Sequence, residues 1–274
     1  MNFEQYHKEN LLWGNLCEGA ERFNGGQNQM WKGFVLTNNG EVEAYIKKCR
    51  ARDTIYIEII VALVGRIYGL PIPKPINVKV ELDHPDICVA ETTFLYGSEA
   101  HDSPNFERFL SLYNCNEDLI LEYNNLHKIL AFDELIANPD RNKGNILYDG
   151  ATFQFIDHEY CFARNQNPRA EILDDWRTRN IADIYRDHHG ANDVLIHKTM
   201  QKVKKYIKDE LQATYSDAIL VLDGVSLDGQ SYSSKVGFVK NFILERLPVL
   251  EVLLKNSISN ESGNDQLDWI GVGG

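Results

Sequence analysis

Residues 138–159 read NPDRNKGNILYDGATFQFIDHE, and the fold turns on how this stretch is read. The run before it, LEYNNLHKILAFDELIA (121–137), looks helical and must stop at Pro139, which cannot continue a helix and disfavours helical geometry in the preceding residue. Asp140 and Arg141 then fall in a polar turn, with Asn145 five residues after Asp140. Two short apolar runs follow, 146–148 and 152–156, separated by Asp149-Gly150, a strong hairpin dipeptide. The second run delivers Asp157. An antiparallel hairpin brings its open ends together, so Asn145 and Asp157 are expected side by side next to Asp140. Two oxygen ligands for a hard cation beside a free carboxylate suit phosphoryl transfer to a hydroxyl. The cation neutralises phosphate charge, and the carboxylate orients or deprotonates the attacking group.

With 274 residues, 43% of them apolar, the chain can bury one large core or two smaller ones. A net charge of -12 argues against nucleic acid or an anionic membrane as the main partner, since both demand an excess of Lys and Arg. The N-terminus, MNFEQYHKEN, lacks the basic and apolar regions of a signal peptide, and no apolar run approaches the roughly 18 residues of a membrane span. The cysteines at 17, 49, 88, 115 and 161 form no C-x-x-C pair, a pattern that suits reduced thiols in a cytoplasm.

Toward the N-terminus, residues 1–22 signal at most a short helix. FNGGQNQMWKG (23–33) places Gly25-Gly26 ahead of a strand-like WKGFVL, where backbone N–H groups can approach a phosphate; a lone Gly-Gly pair is more often an ordinary turn. The strand VEAYIKKC (42–49) alternates, and period two puts Lys48 on the face of Val42, Ala44 and Ile46. Lys47, the alternative, falls on the other face with Glu43 and Tyr45, where solvent is expected. An Asp53-Thr54 cap then opens a helix that ends at Gly69 and Pro71. Its Glu58 interrupts the apolar set Ile55, Ile59, Leu63 and Ile67. An inward lysine and an inward glutamate explain each other as a pair. Residues 76–97 read as two strands around a turn at 83–86. From about residue 98 the pattern becomes helical, with a break expected at Pro248.

A glycine loop, a strand lysine, a helix glutamate, an Asp with Asn at plus five and a second Asp a dozen residues later form the ordered parts of protein kinases. The wording most resembles the HipA-like serine/threonine kinases, a bacterial group related to toxin kinases, and more distantly the phosphatidylinositol kinases. It rests on Gly25-Gly26, Lys48, Glu58 with Gly69-Leu70-Pro71, Asn138 to Arg141 with Asn145, and Ile156-Asp157-His158, and it covers residues 23 to 162. The resemblance implies an α+β, two-lobed protein-kinase-like fold. A small β-rich N-lobe would span residues 1–95, a larger mostly helical C-lobe 96–258, and a flexible tail 259–274. It also implies ATP and Mg²⁺ as cofactors. Gly25, Gly26 and Gln27 would form the phosphate loop. Lys48, held by Glu58, would contact the α- and β-phosphates, and a hinge around Glu91 to Phe94 would bond adenine through its backbone. Asp140 would be the base, and Asn145 and Asp157 the metal ligands. The implied acceptor is a protein Ser or Thr in a toxin or defence setting, with an inhibitor or antitoxin protein as partner and no nucleic acid or membrane.

Three positions depart from the family pattern. Asn142 follows Asp-Arg where a histidine stands in HipA itself. Glu159 stands where glycine commonly follows Asp-His, which would restrict this segment or bring a third carboxylate to the metal. The loop 25–31 contains no Ser or Thr, so it offers no phosphorylation site. A non-catalytic pseudokinase and an AMP transferase are the competing expectations. Asp133 and Glu134 read as helix surface or loop support, His158 as a packing or hydrogen-bonding residue rather than a metal ligand, and the adjacent His188 and His189 as no metal site, because neighbours on a helix point about 100° apart and no third ligand has suitable spacing.

Overall fold

The computed structural model describes residues 3–23, 28–162, 167–172, 178–222, 226–227, 230–231 and 233–259. The chain runs α1 (Phe3–Asn10), β1 (Leu12–Leu16), β2 (Glu21–Phe23), β3 (Gln29–Thr37), β4 (Gly40–Lys48), α2 (Arg52–Ile67), β5 (Pro75–Val80) and β6 (Thr93–Glu99). There follow α3 (Phe106–Tyr113), α4 (Leu126–Leu135), β7 (Ile146–Tyr148), β8 (Phe153–Phe155), α5 (Ile181–His189), α6 (Asp193–Tyr206), α7 (Tyr215–Leu222), α8 (Ser233–Arg246) and α9 (Leu250–Ile258). The expected break at Pro248 is a single 3₁₀ turn, Leu247–Val249, between α8 and α9.

Strands β3, β4, β6 and β5 pair antiparallel in that order, and β1 runs parallel to β5. The second half of β3 returns to pair with β1, while its first half carries β2, so five strands close into a ring. Closure gives each of the five ring strands a partner on both sides, and only the short β2 keeps an edge. The ring's interior holds Leu12, Leu16, Trp31, Val35, Ala44, Ile46, Ile76, Val78 and Leu95, all buried. β1 and β2 lie in the region where the sequence suggests only a short helix; with five and three residues they are too short for a readable alternation.

Helix α2 packs on the outer face of β5 and β6 and against α7. Its residues 59–64 are almost wholly inaccessible on every side. Accordingly it belongs to a second, larger core shared with α4, the β7–β8 hairpin and the C-terminal helices. The helix starts at Arg52 with no side-chain cap, so Asp53 stands in the first turn, complementing the helix dipole, rather than at the expected cap position. Its end follows the sequence: Gly69 adopts φ +72, and the Leu70 amide donates to the Gly65 carbonyl at 3.0 Å. The expected long helix before Pro139 is shorter, since a 3₁₀ turn, Glu117–Glu122, precedes α4. The division expected at residues 95/96 falls within β6, which runs to Glu99.

β1 is squeezed between β3 and β5, and Gly14 sits at the closest approach. A Cβ there would stand 2.5 Å from the Leu36 carbonyl oxygen, a backbone atom that cannot swing aside. Gly14→Ala is therefore expected to lower stability by about 1–3 kcal/mol, read as a lower urea midpoint at constant slope. An unchanged midpoint would contradict ring closure between β1 and β3.

Candidate active site

The turn after α4 is built by its own side chains. Ala137 takes a left-handed φ of 47, and the Asn138 amide donates to the Asp133 carbonyl at 2.8 Å. The Asn138 side chain donates to Asp133 Oδ1 and accepts from the Asp140 amide, both at 3.0 Å, making an Asx turn that presents Asp140. Arg141, only 1% exposed, donates to both carboxylate oxygens of Asp133. Its Nη1 also donates to the carbonyls of Asn145, at 3.1 Å, and Ile156, at 2.6 Å. One guanidinium thus ties the turn to both open ends of the hairpin. Asp133 and Glu134 are loop support rather than helix surface: both are buried, and Glu134 accepts from the fully buried Arg246 of α8 at 2.5 Å.

The hairpin pairs Ile146 with Phe155 and Tyr148 with Phe153, and the Ile156 amide donates to the Asn145 carbonyl at 3.1 Å. Asn145 Nδ2 donates to the Asp140 carbonyl at 2.8 Å and to Asp140 Oδ2 at 3.1 Å. The other oxygen, Oδ1, accepts from Asn142 Nδ2 and from the Thr178 hydroxyl, both at 2.7 Å. Asp157 leaves β8 at φ 59, a left-handed conformation uncommon for a residue with a Cβ.

Lys47 joins the barrel to this hairpin. Its ammonium donates to Glu58 Oε1 at 2.8 Å and Asp157 Oδ1 at 2.7 Å, and it lies 2.8 Å from Glu159 Oε2. Glu58 is fully buried, and its second oxygen accepts from the His158 amide at 2.8 Å. Glu159 also accepts from Asn28 Nδ2 at 2.8 Å, which ties the start of β3 to the same ammonium. Burial by itself would push the Lys47 pKa down, but the three carboxylates reverse this and hold it well above the ordinary lysine range. Burial would likewise raise Glu58, yet Lys47 and His158 bring it well below the ordinary carboxylate range. Asp157 is raised to about 6 by burial and by the Glu58 charge, against the pull of Lys47. His158 is buried, and burial pushes its pKa down.

The lysine expected here was Lys48; the structure corrects this to Lys47. The alternation itself is as read, since Ala44 and Ile46 share a buried face. That face, however, points into the ring, and Lys48 ends it at an exposed rim. On the other face Glu43 and Tyr45 meet Lys32 and Phe23, and Lys47 at its end reaches Glu58 of α2 and Asp157 beyond β8. Lys47 is consequently only 5% exposed. Glu58 and Asp157 meet on Lys47, Asp140 and Asn145 meet each other, and the two groups are linked at the open end of the hairpin, where the Ile156 amide donates to the Asn145 carbonyl. Glu91 does not join them: it is exposed and precedes β6, whereas the chain leaves β6 for the helical region after Glu99. Gly25, Gly26 and Gln27 lie outside the described residues. The roles of Asn28 and Thr178 carried no sequence signal, because each depends on a contact more than 30 residues away.

For a divalent cation, the donor chemistry fits at Asn145 and Asp157. The amide nitrogen of Asn145 is taken by Asp140, which leaves its Oδ1 without a protein partner among the described residues, and Asp157 commits only Oδ1 to Lys47. Oxygen atoms of Glu58, Asp157 and Glu159 lie within 4.8 Å of one another, but the ammonium of Lys47 stands among them and already supplies their counter-charge.

A strand lysine paired with a helix glutamate and reaching a carboxylate beside an Asp–Asn turn defines a kinase-like class of site. The chain belongs to the HipA-like kinase family, whose family model matches residues 25–215. Among solved structures it is similar to the Helicobacter pylori proinflammatory kinase CtkA, with 12% identity, a TM-score of 0.52, and coverage of 88% of this chain and 96% of that one. At that identity the likeness concerns the fold. No curated protein sequence matches the chain. No helix among the described residues is long and apolar enough to cross a membrane.

Removing Lys47 would strand Glu58 as an uncompensated buried charge. Lys47→Met is expected to lower stability by about 3–5 kcal/mol. Lys48→Met, at the exposed rim, is expected to stay within about 0.5 kcal/mol of the parent. Equal losses in urea denaturation would contradict the inward assignment of Lys47.

Proposed function

We propose that this chain is an ATP- and Mg²⁺-dependent kinase that transfers a γ-phosphoryl group to a protein Ser or Thr hydroxyl, in a HipA-type toxin or defence role in the cytoplasm. The observation that carries this reading is the single connected set Glu58–Lys47–Asp157 and Asn145–Asp140, joined through the β7–β8 hairpin. It accords with a two-lobed division into residues 1–95, 96–258 and the tail 259–274, with α2 packed between the lobes. An inhibitor protein belongs to the same reading by family resemblance.

In this scheme Lys47 holds the α- and β-phosphates, and Glu58 keeps its ammonium aimed into the cleft. Asn145 and Asp157 hold the Mg²⁺, which when bound neutralises phosphate charge. Asp140 orients the acceptor hydroxyl and takes its proton, while Asn142 and Asn145 hold that carboxylate in one orientation. The backbone at 99–101, where the chain crosses from sheet to helices, takes the adenine-bonding role first expected near Glu91. Catalysis here is positioning and charge neutralisation, with no covalent enzyme intermediate.

A non-catalytic nucleotide-binding module is the competing reading, and Glu159 favours it by occupying Lys47. Incubation with Mg²⁺ and γ-labelled ATP, with and without cell lysate, separates the two. Label is expected on an acceptor and is expected to disappear in Asp157→Ala. Asp140→Asn should reduce transfer by about 10²–10⁴-fold while nucleotide still raises the thermal midpoint. Unchanged turnover in Asp140→Asn would remove Asp140 as the base. Nucleotide-dependent stabilisation without label would favour the non-catalytic module, and release of pyrophosphate would mark AMP transfer instead.

A further inference from the structure

Asp140 already has a hydroxyl on it. Thr178 is exposed, its amide donates to the Pro139 carbonyl at 3.1 Å, and its Oγ1 donates to Asp140 Oδ1 at 2.7 Å. Asp140 Oδ2 is turned to Asn145, one of the two residues suited to a cation. A hydroxyl that donates to the base, with the metal side of the same carboxylate beside it, stands as an acceptor hydroxyl would stand. The contact spans 38 positions of sequence and therefore depends on the tertiary fold rather than on a local turn.

We propose that Thr178 is a phosphorylation site that the chain modifies in itself, intramolecularly. The inference rests on the kinase reading above and names an acceptor for that site. In the step, a bond forms between Thr178 Oγ1 and the γ-phosphorus of a nucleoside triphosphate as the bond to the β,γ-bridging oxygen breaks. The diphosphate leaves with the electron pair, and the hydroxyl proton passes to Asp140.

The surroundings suit the product as well as the acceptor. A phosphothreonine carries about −1.5 to −2 charges and is repelled by the Asp140 carboxylate. Two cations flank the contact in sequence, Arg179 next to Thr178 and Lys143 shortly after Asp140, and they share one carboxylate: Arg179 pairs with Glu117 and Asp187, and Lys143 donates to Glu117 Oε2 at 2.9 Å. Exchange of Glu117 for the phosphate gives the new charge two partners and clears Asp140 for an acceptor from outside the chain.

The test uses the full chain with Mg²⁺ and γ-labelled ATP, phosphosite mapping by mass spectrometry, and dephosphorylated casein as an added acceptor. One phosphoryl group is expected on Thr178, with a rate per molecule unchanged on about tenfold dilution, as an intramolecular step requires. Thr178→Ser should keep label at position 178, and Thr178→Val should lose it; the site is exposed, so neither change disturbs a core. Label on casein with none on Thr178 would overturn this proposal and leave the kinase reading standing. A rate per molecule that rises with protein concentration would overturn the intramolecular step. Absence of label on both, with no diphosphate formed, would overturn the kinase reading itself.

Discussion

An ammonium inside a protein is tolerable only if its charge is answered on the spot, and Lys47 is answered three times. Glu58 comes from α2, Asp157 and Glu159 from the segment after β8, and the lysine itself from the barrel. Lys47, Glu58 and Glu159 depend on one another most, because each is a charge almost wholly withdrawn from water, whereas Asp157 keeps part of its side chain exposed. The cluster therefore sets the mutual positions of sheet, helix and hairpin more sharply than apolar packing could, since apolar contacts have no fixed direction.

Two buried arginines extend the same logic into the helical region. Arg141 joins Asp133 of α4 to the carbonyls of Asn145 and Ile156, so the turn bearing Asp140 and both ends of the hairpin move together. Arg246 ties α8 to α4 through Glu134 and also donates to the carbonyls of Pro168 and Ala170, at 2.8 and 2.7 Å. Guanidinium suits both places because its planar fork serves a carboxylate and backbone carbonyls at once. With α2 buried on every side between the ring and α7, the Glu58–Lys47 pair sits on a helix with little room to swing.

Much of the site was legible in one dimension. Pro139 ends a helix, Asp149-Gly150 turns a hairpin, and antiparallel pairing brings Asn145, before the first strand, beside Ile156, one residue before Asp157. These are local rules, and the hairpin register bears them out. The strand at 40–48 was also read with the right period. Its error lay in which face meets the site: an apolar face is normally turned to the main core, whereas here it fills a separate ring and the polar face carries the buried lysine.

The sequence alone therefore determined the order of the parts, the spacing of Asp140, Asn145 and Asp157, the hairpin that gathers them, and Glu58 as a charge in need of a partner. Tertiary structure decided that Lys47 is that partner, that Glu159 and Asn28 join it, that β1 closes the ring, and that Thr178 reaches Asp140. The physical reason is distance along the chain. Turn chemistry and alternation act over a few residues. Which face of a strand is buried, and which remote donor meets a given carboxylate, depends on closure of a sheet and on helices contributed from the far end of the chain.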